Sequence, residues 1–154
     1  MQNILFVCTG NSCRSVMAEG LFKKLTEGRE CEFTVSSAGI SAINGFPPTK
    51  ETIDVMKEEG MDVSSHLSRR LTKDLIDVAD KIIVMEDVHK DFILRMSPQA
   101  MSKTFLITDF HIESLGAANE SGVQDPIRMS EDFYRGTLWA IRECIRDIIE
   151  ALSV

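Results

Sequence analysis

Residues 8–15 read Cys8-Thr9-Gly10-Asn11-Ser12-Cys13-Arg14-Ser15, and they are the most informative segment of the chain. It follows an apolar run at positions 4–7 and precedes a helix-forming stretch at positions 17–25. A loop of small residues between a strand and a helix directs backbone N–H groups at an anion, and the helix dipole adds partial positive charge. That field also favours the thiolate form of a cysteine. The segment therefore predicts that Cys8 attacks phosphorus while the guanidinium of Arg14 grips phosphate oxygens.

Length and charge restrict the possible classes of protein. The chain has 154 residues and a net charge of −7, which fits one domain over residues 1–154 with its own core. The acidic balance argues against nucleic-acid binding, because nucleic-acid binding proteins carry a basic surface. An anionic substrate must then be captured by a local positive site. No apolar run reaches membrane-spanning length and no secretion-signal pattern is present, so we expect no membrane association.

Cysteine and histidine usage indicates the compartment and the cofactors. The four cysteines, at positions 8, 13, 31 and 144, are too few for a disulfide-rich scaffold and favour a reducing cytoplasm. The three histidines, at positions 66, 89 and 111, are dispersed, and no Cys/His cluster has zinc spacing. We therefore expect a cytoplasmic protein with no metal and no cofactor, and we take a monomer as the default.

The order of apolar patterns predicts the fold class. Strands are predicted at 3–7, 31–36, 81–85 and 104–107, and helices at 15–26, 49–59, 72–78 and 88–95. A last helix is indicated by apolar residues at alternating spacings of three and four, namely Leu138, Ile141, Ile145, Ile148 and Leu152. Strands that alternate with helices predict an α/β fold: one three-layer domain with a four-stranded parallel sheet and the phosphate-binding loop after strand 1. Ligands of such sheets bind at the carboxyl ends of strands, where Cys8 lies.

The chemistry predicted for Cys8 requires an acid. Attack by a thiolate forms a phosphocysteine, and the departing group must receive a proton. Asp125, which precedes Pro126 and follows a Gly/Ser-rich approach at 116–122, is the best candidate, although Asp-Pro is also a common turn dipeptide. Ser15 either caps the helix or donates to the Cys8 thiolate, and the two roles are compatible. The plainer alternative for Cys8 is a buried cysteine at a strand end.

The chain resembles the low-molecular-weight protein tyrosine phosphatase family over nearly its whole length. The matching landmarks are the 8–15 segment, Ser36-Ser37-Ala38-Gly39, Ser65-His66, the stretch 79–85 and Asp125-Pro126 before the terminal helix. The resemblance implies a phosphorylated protein or peptide as substrate and inorganic phosphate as product. It implies Cys8 as nucleophile, Arg14 as phosphate clamp, and Asp125 as general acid and then base. The phosphate-binding loop is completed by Thr9, Gly10, Asn11, Ser12, Cys13 and Ser15.

The resemblance also assigns supporting residues. Ser37 and His66 are expected to hold Asn11 and to keep the loop in a strained, anion-binding shape. Cys13 matches a second loop cysteine of many members, where a reversible disulfide with Cys8 protects the nucleophile from over-oxidation. A plain packing role for Cys13 is the alternative.

Two departures from tyrosine-specific members leave the substrate open. Ser12 stands where an aliphatic residue is usual, whereas the similar bacterial protein arginine phosphatases carry threonine there. The aromatic pocket walls are also sparse: no aromatic residue follows Pro126, and Phe46 is the only aromatic near Ala42 and Ile43. The tyrosine-type function is our first interpretation and arginine phosphatase the alternative.

Two further functions remain as lesser alternatives. Thioredoxin-coupled arsenate reductases share the 8–15 run, but their relay needs two further cysteines and the stretch 84–93 contains none. A non-catalytic phosphate-binding module would need the loop alone. The presence of a candidate nucleophile, clamp and acid favours an enzyme over such a module.

Overall fold

The computed structural model describes residues 1–110, 118–119 and 121–153. Its elements, in chain order, are β1 Gln2–Cys8, α1 Arg14–Leu25, β2 Phe33–Gly39, α2 Lys50–Glu58, α3 Lys73–Val78, β3 Lys81–Val84, α4 Asp87–Met96, β4 Thr104–Leu106, β5 Ala118–Asn119, β6 Gly122–Val123 and α5 Glu131–Leu152. Two short 3₁₀ helices, Pro98–Lys103 and Ile107–Phe110, flank β4.

The first four strands form one parallel sheet in the order β2-β1-β3-β4. Parallel neighbours need crossover connections, and here the crossovers are the helices that cover the sheet. Cys8 of β1 pairs with Gly39 of β2 at the carboxyl edge of the sheet. The predicted α/β fold, a single three-layer domain with four parallel strands, is confirmed.

The two faces of the sheet bury separate sets of apolar side chains. Because successive side chains of a strand point to opposite faces, Ile4 and Phe6 of β1 face one side, and Leu5 and Val7 face the other. On the first side they pack with α1, α2 and α5, including the predicted stripe Leu138, Ile141, Ile145 and Ile148. Leu152, the last residue of that stripe, is only partly buried. The second side is covered by α3 and α4 through Ile76 and Ile93.

Threonine and serine side chains set the starts of three helices. Thr49, Thr72 and Ser130 are N-caps whose side-chain oxygens accept hydrogen bonds from the first turns of α2, α3 and α5. The helices predicted at 49–59 and 72–78 agree with the first two caps to within a residue, whereas α5 begins seven residues before the first residue of its predicted stripe, Leu138. Gly60, with φ 79°, follows the C-cap of α2 in the left-handed conformation that glycine tolerates.

The second strand differs from its prediction. It was expected at 31–36 but runs from Phe33 to Gly39, and Cys31 is exposed in the preceding turn. That turn is closed by a hydrogen bond from Glu32 N to Arg29 O (2.9 Å), and the first hydrogen bond to β1 is the one that the carbonyl of Glu32 accepts from Gln2 N at 2.8 Å. β2 then continues to Gly39 because it pairs with β1 along its full length.

The short antiparallel pair β5–β6 was not predicted, since two-residue strands carry no periodic pattern. It lies in the Gly/Ser-rich approach to Asp125, of which Gly116 is outside the described residues, as is His111. In the described part of the chain, no helix is both long and apolar enough to cross a lipid bilayer.

Candidate active site

The sulfur of Cys8 receives two hydrogen bonds at the end of β1. The backbone N–H of Asn11 donates to Sγ at 3.3 Å, and Ser15 Oγ lies 2.9 Å from the same sulfur. Asn11 Nδ2 donates to Ser15 Oγ at 2.8 Å, so the hydroxyl hydrogen of Ser15 is left to donate to Cys8. Two donors that converge on one sulfur stabilise a thiolate there.

Asn11 is the residue that holds the loop in shape. Its φ of 54° is left-handed, a conformation that a non-glycine residue keeps only when its surroundings fix it. The buried amide makes four hydrogen bonds: Nδ2 donates to Ser15 and Ser37 (2.8 and 2.9 Å), and Oδ1 accepts from Arg69 N and His66 Nε2 (3.0 and 3.2 Å). The structure thus brings Ser37 and His66 together on Asn11.

Ser37 and His66, which both bond to Asn11, are themselves fixed by a further hydrogen bond in the first case and by burial in the second. Ser37 Oγ donates to Glu19 Oε1 at 2.7 Å, so the serine oxygen is free to accept from Asn11. His66 is half-buried, and burial lowers the pKa of its ring. The ring is therefore neutral at neutral pH, with its Nε2 proton donated to the amide oxygen of Asn11.

Gly39 allows the end of β2 to touch the loop. A Cβ at this position would lie 2.6 Å from the carbonyl oxygen of Thr9 and 2.8 Å from the backbone nitrogen of Asn11. Real Cβ atoms do not approach backbone atoms so closely, so any side chain would displace the loop. The contact is fixed by two further hydrogen bonds, Ile40 N to Cys8 O and Ser41 N to Thr9 O, both 2.9 Å.

Arg14 is the first residue of α1 and is 1% exposed. Its Nη1 donates both to the carboxylate of Glu86 and to the carbonyl oxygen of Val123, the latter at 2.7 Å. Its Nη2 donates to Thr9 Oγ1 at 3.4 Å. A guanidinium has five N–H groups, so these contacts leave the edge formed by Nε and Nη2 for a bidentate contact with phosphate. Sequence reasoning missed Glu86, which lies 72 residues from Arg14.

Asp125 lies beside the guanidinium of Arg14. Its Oδ2 is 3.5 Å from Arg14 Nη2, and its Oδ1 accepts a hydrogen bond from Ile127 N at 3.1 Å. The side chain is 38% exposed, so the carboxylate remains accessible to solvent. The acid predicted from sequence is therefore next to the predicted clamp.

His89, one of the dispersed histidines, lies directly behind the loop. Its Nε2 is 2.9 Å from Thr9 Oγ1, and its Nδ1 accepts from Glu86 N at 3.0 Å. The side chain is fully buried, and this burial, together with the charge of Arg14, lowers the pKa of His89 to about 3. The available signal was its position three residues after Glu86, in the first turn of the helix after β3.

A shallow pocket of about 270 Å³ opens beside the loop. Its lining residues are Gly10, Ser12, Ser41, Ala42, Ile43, Phe46 and Ser68. Phe46 is the one aromatic side chain among them, and both Phe46 and Ile43 are largely exposed. Ser12 thus lines the one side of the loop on which this pocket opens, and the apolar part of the lining is more aliphatic than aromatic.

Cys13 is buried among hydroxyl groups. Its Sγ lies 3.5 Å from Thr49 Oγ1 and 3.7 Å from Tyr134 OH. Burial raises the pKa of Tyr134 to about 12, so the phenol keeps its proton. All four cysteines are free in this structure, and Cys13 is packed rather than bonded to Cys8.

Comparison with known proteins gives the class and the family. The sequence model described as low molecular weight phosphotyrosine protein phosphatase matches residues 3–154. A protein-arginine-phosphatase of Bacillus subtilis is 33% identical over 98% of this chain and 97% of its own, and the low molecular weight protein-tyrosine-phosphatase Ptp of Acinetobacter johnsonii is 34% identical over 95% and 94%. A solved structure of a YwlE arginine phosphatase mutant with a phosphorylated active-site serine has a TM-score of 0.87, at 30% identity over 99% and 96% of the chains.

The family match covers residues 3–154 and so includes the whole of the loop 8–15. The class that these matches define is the cysteine-dependent phosphatases. Within that class, the chain belongs to the low molecular weight phosphotyrosine protein phosphatase family.

Proposed function

We propose that this protein hydrolyses phosphorylated protein side chains through a phosphocysteine on Cys8, with a tyrosine-type substrate as the first candidate. The observation that carries the proposal is the pair of donors on the Cys8 sulfur, Asn11 N–H and Ser15 Oγ–H, in the same loop as the buried guanidinium of Arg14. A thiolate and a bidentate phosphate clamp in one loop suit in-line attack on phosphorus.

In the first step the Cys8 thiolate forms a bond to phosphorus as the bond from phosphorus to the leaving oxygen breaks. Arg14 and the backbone N–H groups of the loop hold the phosphoryl oxygens and stabilise the charge that redistributes over them. Asp125, in its protonated form, gives its proton to the leaving oxygen. A phosphorylated serine in the related arginine phosphatase mutant supports a covalent intermediate at this loop position.

In the second step a water molecule attacks the phosphocysteine. Asp125, now a carboxylate, takes a proton from this water as the new bond to phosphorus forms. The bond between phosphorus and sulfur breaks, and the Cys8 thiolate returns to the hydrogen bonds from Ser15 and Asn11. Inorganic phosphate leaves, and the protonated Asp125 is ready for the next cycle.

The direct test is turnover of p-nitrophenyl phosphate in a buffer with a chelator and no added metal. We expect phosphate release from the wild type and none above background from Cys8→Ser. The matched control is Cys31→Ser, because Cys31 is exposed in the turn before β2, and this variant should retain full activity. An active Cys8→Ser variant would rule out the proposed nucleophile.

Arginine phosphatase is the second candidate because two features of the pocket favour it. Ser12 offers a hydroxyl beside the loop, and Phe46 is the only aromatic residue of the lining. An aromatic contact contributes about 0.5–1.5 kcal/mol, so a sparse wall weakens binding of a phenol ring without altering the chemistry. Rates on matched phosphotyrosine and phosphoarginine peptides decide between the candidates, and Ser12→Ile should shift the ratio towards phosphotyrosine.

The remaining parts of the proposal concern arsenate reduction, the oligomeric state and the cellular compartment. Cys144 is buried in α5, and burial raises the pKa of its thiol to about 12, which makes it unsuitable for an arsenate-reducing relay. We propose a monomer that acts in the cytoplasm on protein or peptide substrates, without a metal or a cofactor. Light scattering of the purified protein tests the monomer.

A further inference from the structure

The hydrogen bonds of His89 define the position of its proton. The backbone N–H of Glu86 can only donate, so Nδ1 of His89, 3.0 Å away, must accept. In a neutral ring the proton is then on Nε2, which faces Thr9 Oγ1 at 2.9 Å. His89 therefore donates to the hydroxyl oxygen of Thr9, and the direction of this hydrogen bond is fixed by a backbone contact on the other side of the ring.

The hydroxyl of Thr9 is consequently committed to one role. A hydroxyl group has two lone pairs and one hydrogen. One lone pair accepts from His89, and the other accepts from Nη2 of Arg14 at 3.4 Å. Only the hydroxyl hydrogen remains, and among residues 1–110, 118–119 and 121–153 no protein acceptor is paired with it. Thr9 lies next to Cys8 in the loop, so the acceptor that fits this hydrogen is an oxygen of a bound phosphate.

We propose that His89 is a positioning residue that holds the Thr9 hydroxyl as a hydrogen-bond donor to the phosphate in the loop. The proposal rests on the proposed phosphatase function for the identity of the anion, and it adds Thr9 Oγ1–H to the donors of the loop. His89 itself does not touch the substrate in this arrangement.

The arrangement does not depend on pH over the range in which the enzyme is assayed. Burial and the neighbouring charge of Arg14 keep His89 neutral, with a pKa of about 3. The charged groups that face the ring are Arg14, through Thr9, and Glu86, whose backbone N–H it accepts. The tautomer, and with it the direction of the Thr9 hydroxyl, is therefore constant between pH 5 and 8.

Two amide variants separate the two contacts of the ring. The longer side chain in His89→Gln would place its amide near the position of Nε2, so this variant keeps a donor to Thr9. The shorter side chain in His89→Asn places its amide near the position of Nδ1, so it keeps an acceptor for Glu86 N and loses the donor to Thr9. We expect His89→Asn to weaken inorganic phosphate binding, measured by calorimetry and as competitive inhibition, by about tenfold, the effect of one hydrogen bond to a charged group. His89→Gln should stay within about threefold of the wild type.

Variants of Thr9 complete the test. Thr9→Val removes the hydroxyl and should weaken phosphate binding as much as His89→Asn, whereas Thr9→Ser should restore it. The double variant Thr9→Val/His89→Asn should be no worse than either single variant, because both remove the same hydrogen bond. Val88→Ala, an exposed change in the same turn of α4, is the control and should bind phosphate like the wild type.

The outcomes distinguish this proposal from the proposed function. Unchanged phosphate binding in His89→Asn and Thr9→Val, or additive losses in the double variant, would overturn the role of His89. The role of His89 would also be overturned if His89→Gln and His89→Asn weakened phosphate binding equally, and if their rates of p-nitrophenyl phosphate hydrolysis fell in parallel with the stability of the fold. Such a result would indicate that His89 serves only in packing. If the wild type bound phosphate but hydrolysed no ester, the proposed function would fail while the binding data would still decide on His89.

Discussion

The side chain of Asp125 contacts the guanidinium of Arg14 and is partly exposed to solvent. Its proposed role as general acid can be tested by replacing this single residue. Replacing Asp125 with alanine removes the proposed proton donor but leaves Cys8 and the hydrogen-bond donors to its sulfur in place. We expect Asp125→Ala to slow hydrolysis of phenyl phosphate, a poor leaving group, by about 10²-fold or more, and hydrolysis of p-nitrophenyl phosphate by much less. The reason is that a leaving group of low basicity departs without a proton.

The control for this prediction is Asp132→Ala, since Asp132 is 91% exposed in the first turn of α5 and should not affect either substrate. The measurement is kcat for a series of aryl phosphates in the two variants. If Asp125→Ala lowered kcat equally for all the aryl phosphates, the acid role would be contradicted. The loss would then come from removing the negative charge beside Arg14.

Among the structural elements, the junction between β2 and the loop 8–15 depends on the absence of a side chain at Gly39. A Cβ at residue 39 would lie only 2.6 Å from the carbonyl oxygen of Thr9, and hydrogen bonds join the backbones of the two segments. We expect Gly39→Ala to displace the loop, to lower kcat/KM by at least tenfold and to destabilise the fold by about 1–3 kcal/mol. Activity assays and urea denaturation measure the two effects.

Gly45→Ala provides a contrasting control for Gly39→Ala. Gly45 has a φ of 92°, but nothing lies within 4 Å of a Cβ built there. Its replacement should therefore cost some stability through backbone strain and leave kcat/KM nearly unchanged. A Gly39→Ala variant with full activity would show that the loop tolerates displacement at this contact.

For the whole molecule, the buried His89 makes stability depend on pH. Its pKa is about 3 in the folded chain and about 6.5 when unfolded, so below pH 6.5 the unfolded chain binds a proton that the folded chain does not. The free energy of unfolding therefore falls as the pH decreases from 6.5 towards 3. At pH 5 the loss from this group is about 2 kcal/mol, from 1.36 kcal/mol per pH unit over 1.5 units.

The measurement is urea denaturation at pH 7.5 and pH 5, for the wild type and for His89→Gln. Other groups titrate equally in both proteins, so the difference between their pH dependences isolates His89. We expect the wild type to lose about 2 kcal/mol more than the variant on acidification. Parallel losses in the two proteins would contradict the depressed pKa of His89.

The contacts of Arg14, His89 and Asn11 show which parts of the molecule could be predicted from sequence and which could not. The helices, the four strands of the parallel sheet and the loop 8–15 follow from local periodicity and from residue types that are adjacent in the chain, although β2 is shifted and the two-residue strands β5 and β6 carry no pattern. The contacts of Arg14 with Glu86 and Val123 join residues 72 and 109 positions apart, and no local pattern signals them. His89 looked dispersed in sequence because its partner Thr9 is 80 residues away. Asn11 and its supports were anticipated only through the family resemblance, not from spacing.

The backbone of Val123 is hydrogen-bonded through both its N–H and its carbonyl group, and this has a consequence for turnover. Val123 lies two residues before Asp125. Its N–H donates to the carbonyl oxygen of Met85, directly after β3, at 2.7 Å, and its own carbonyl oxygen accepts from Nη1 of Arg14. Asp125 is thereby held 3.5 Å from Nη2 of Arg14 by contacts within the fold itself, so we expect turnover to need no large movement of this segment. Solvent viscosity should accordingly slow substrate arrival and product escape, and leave the chemical steps untouched.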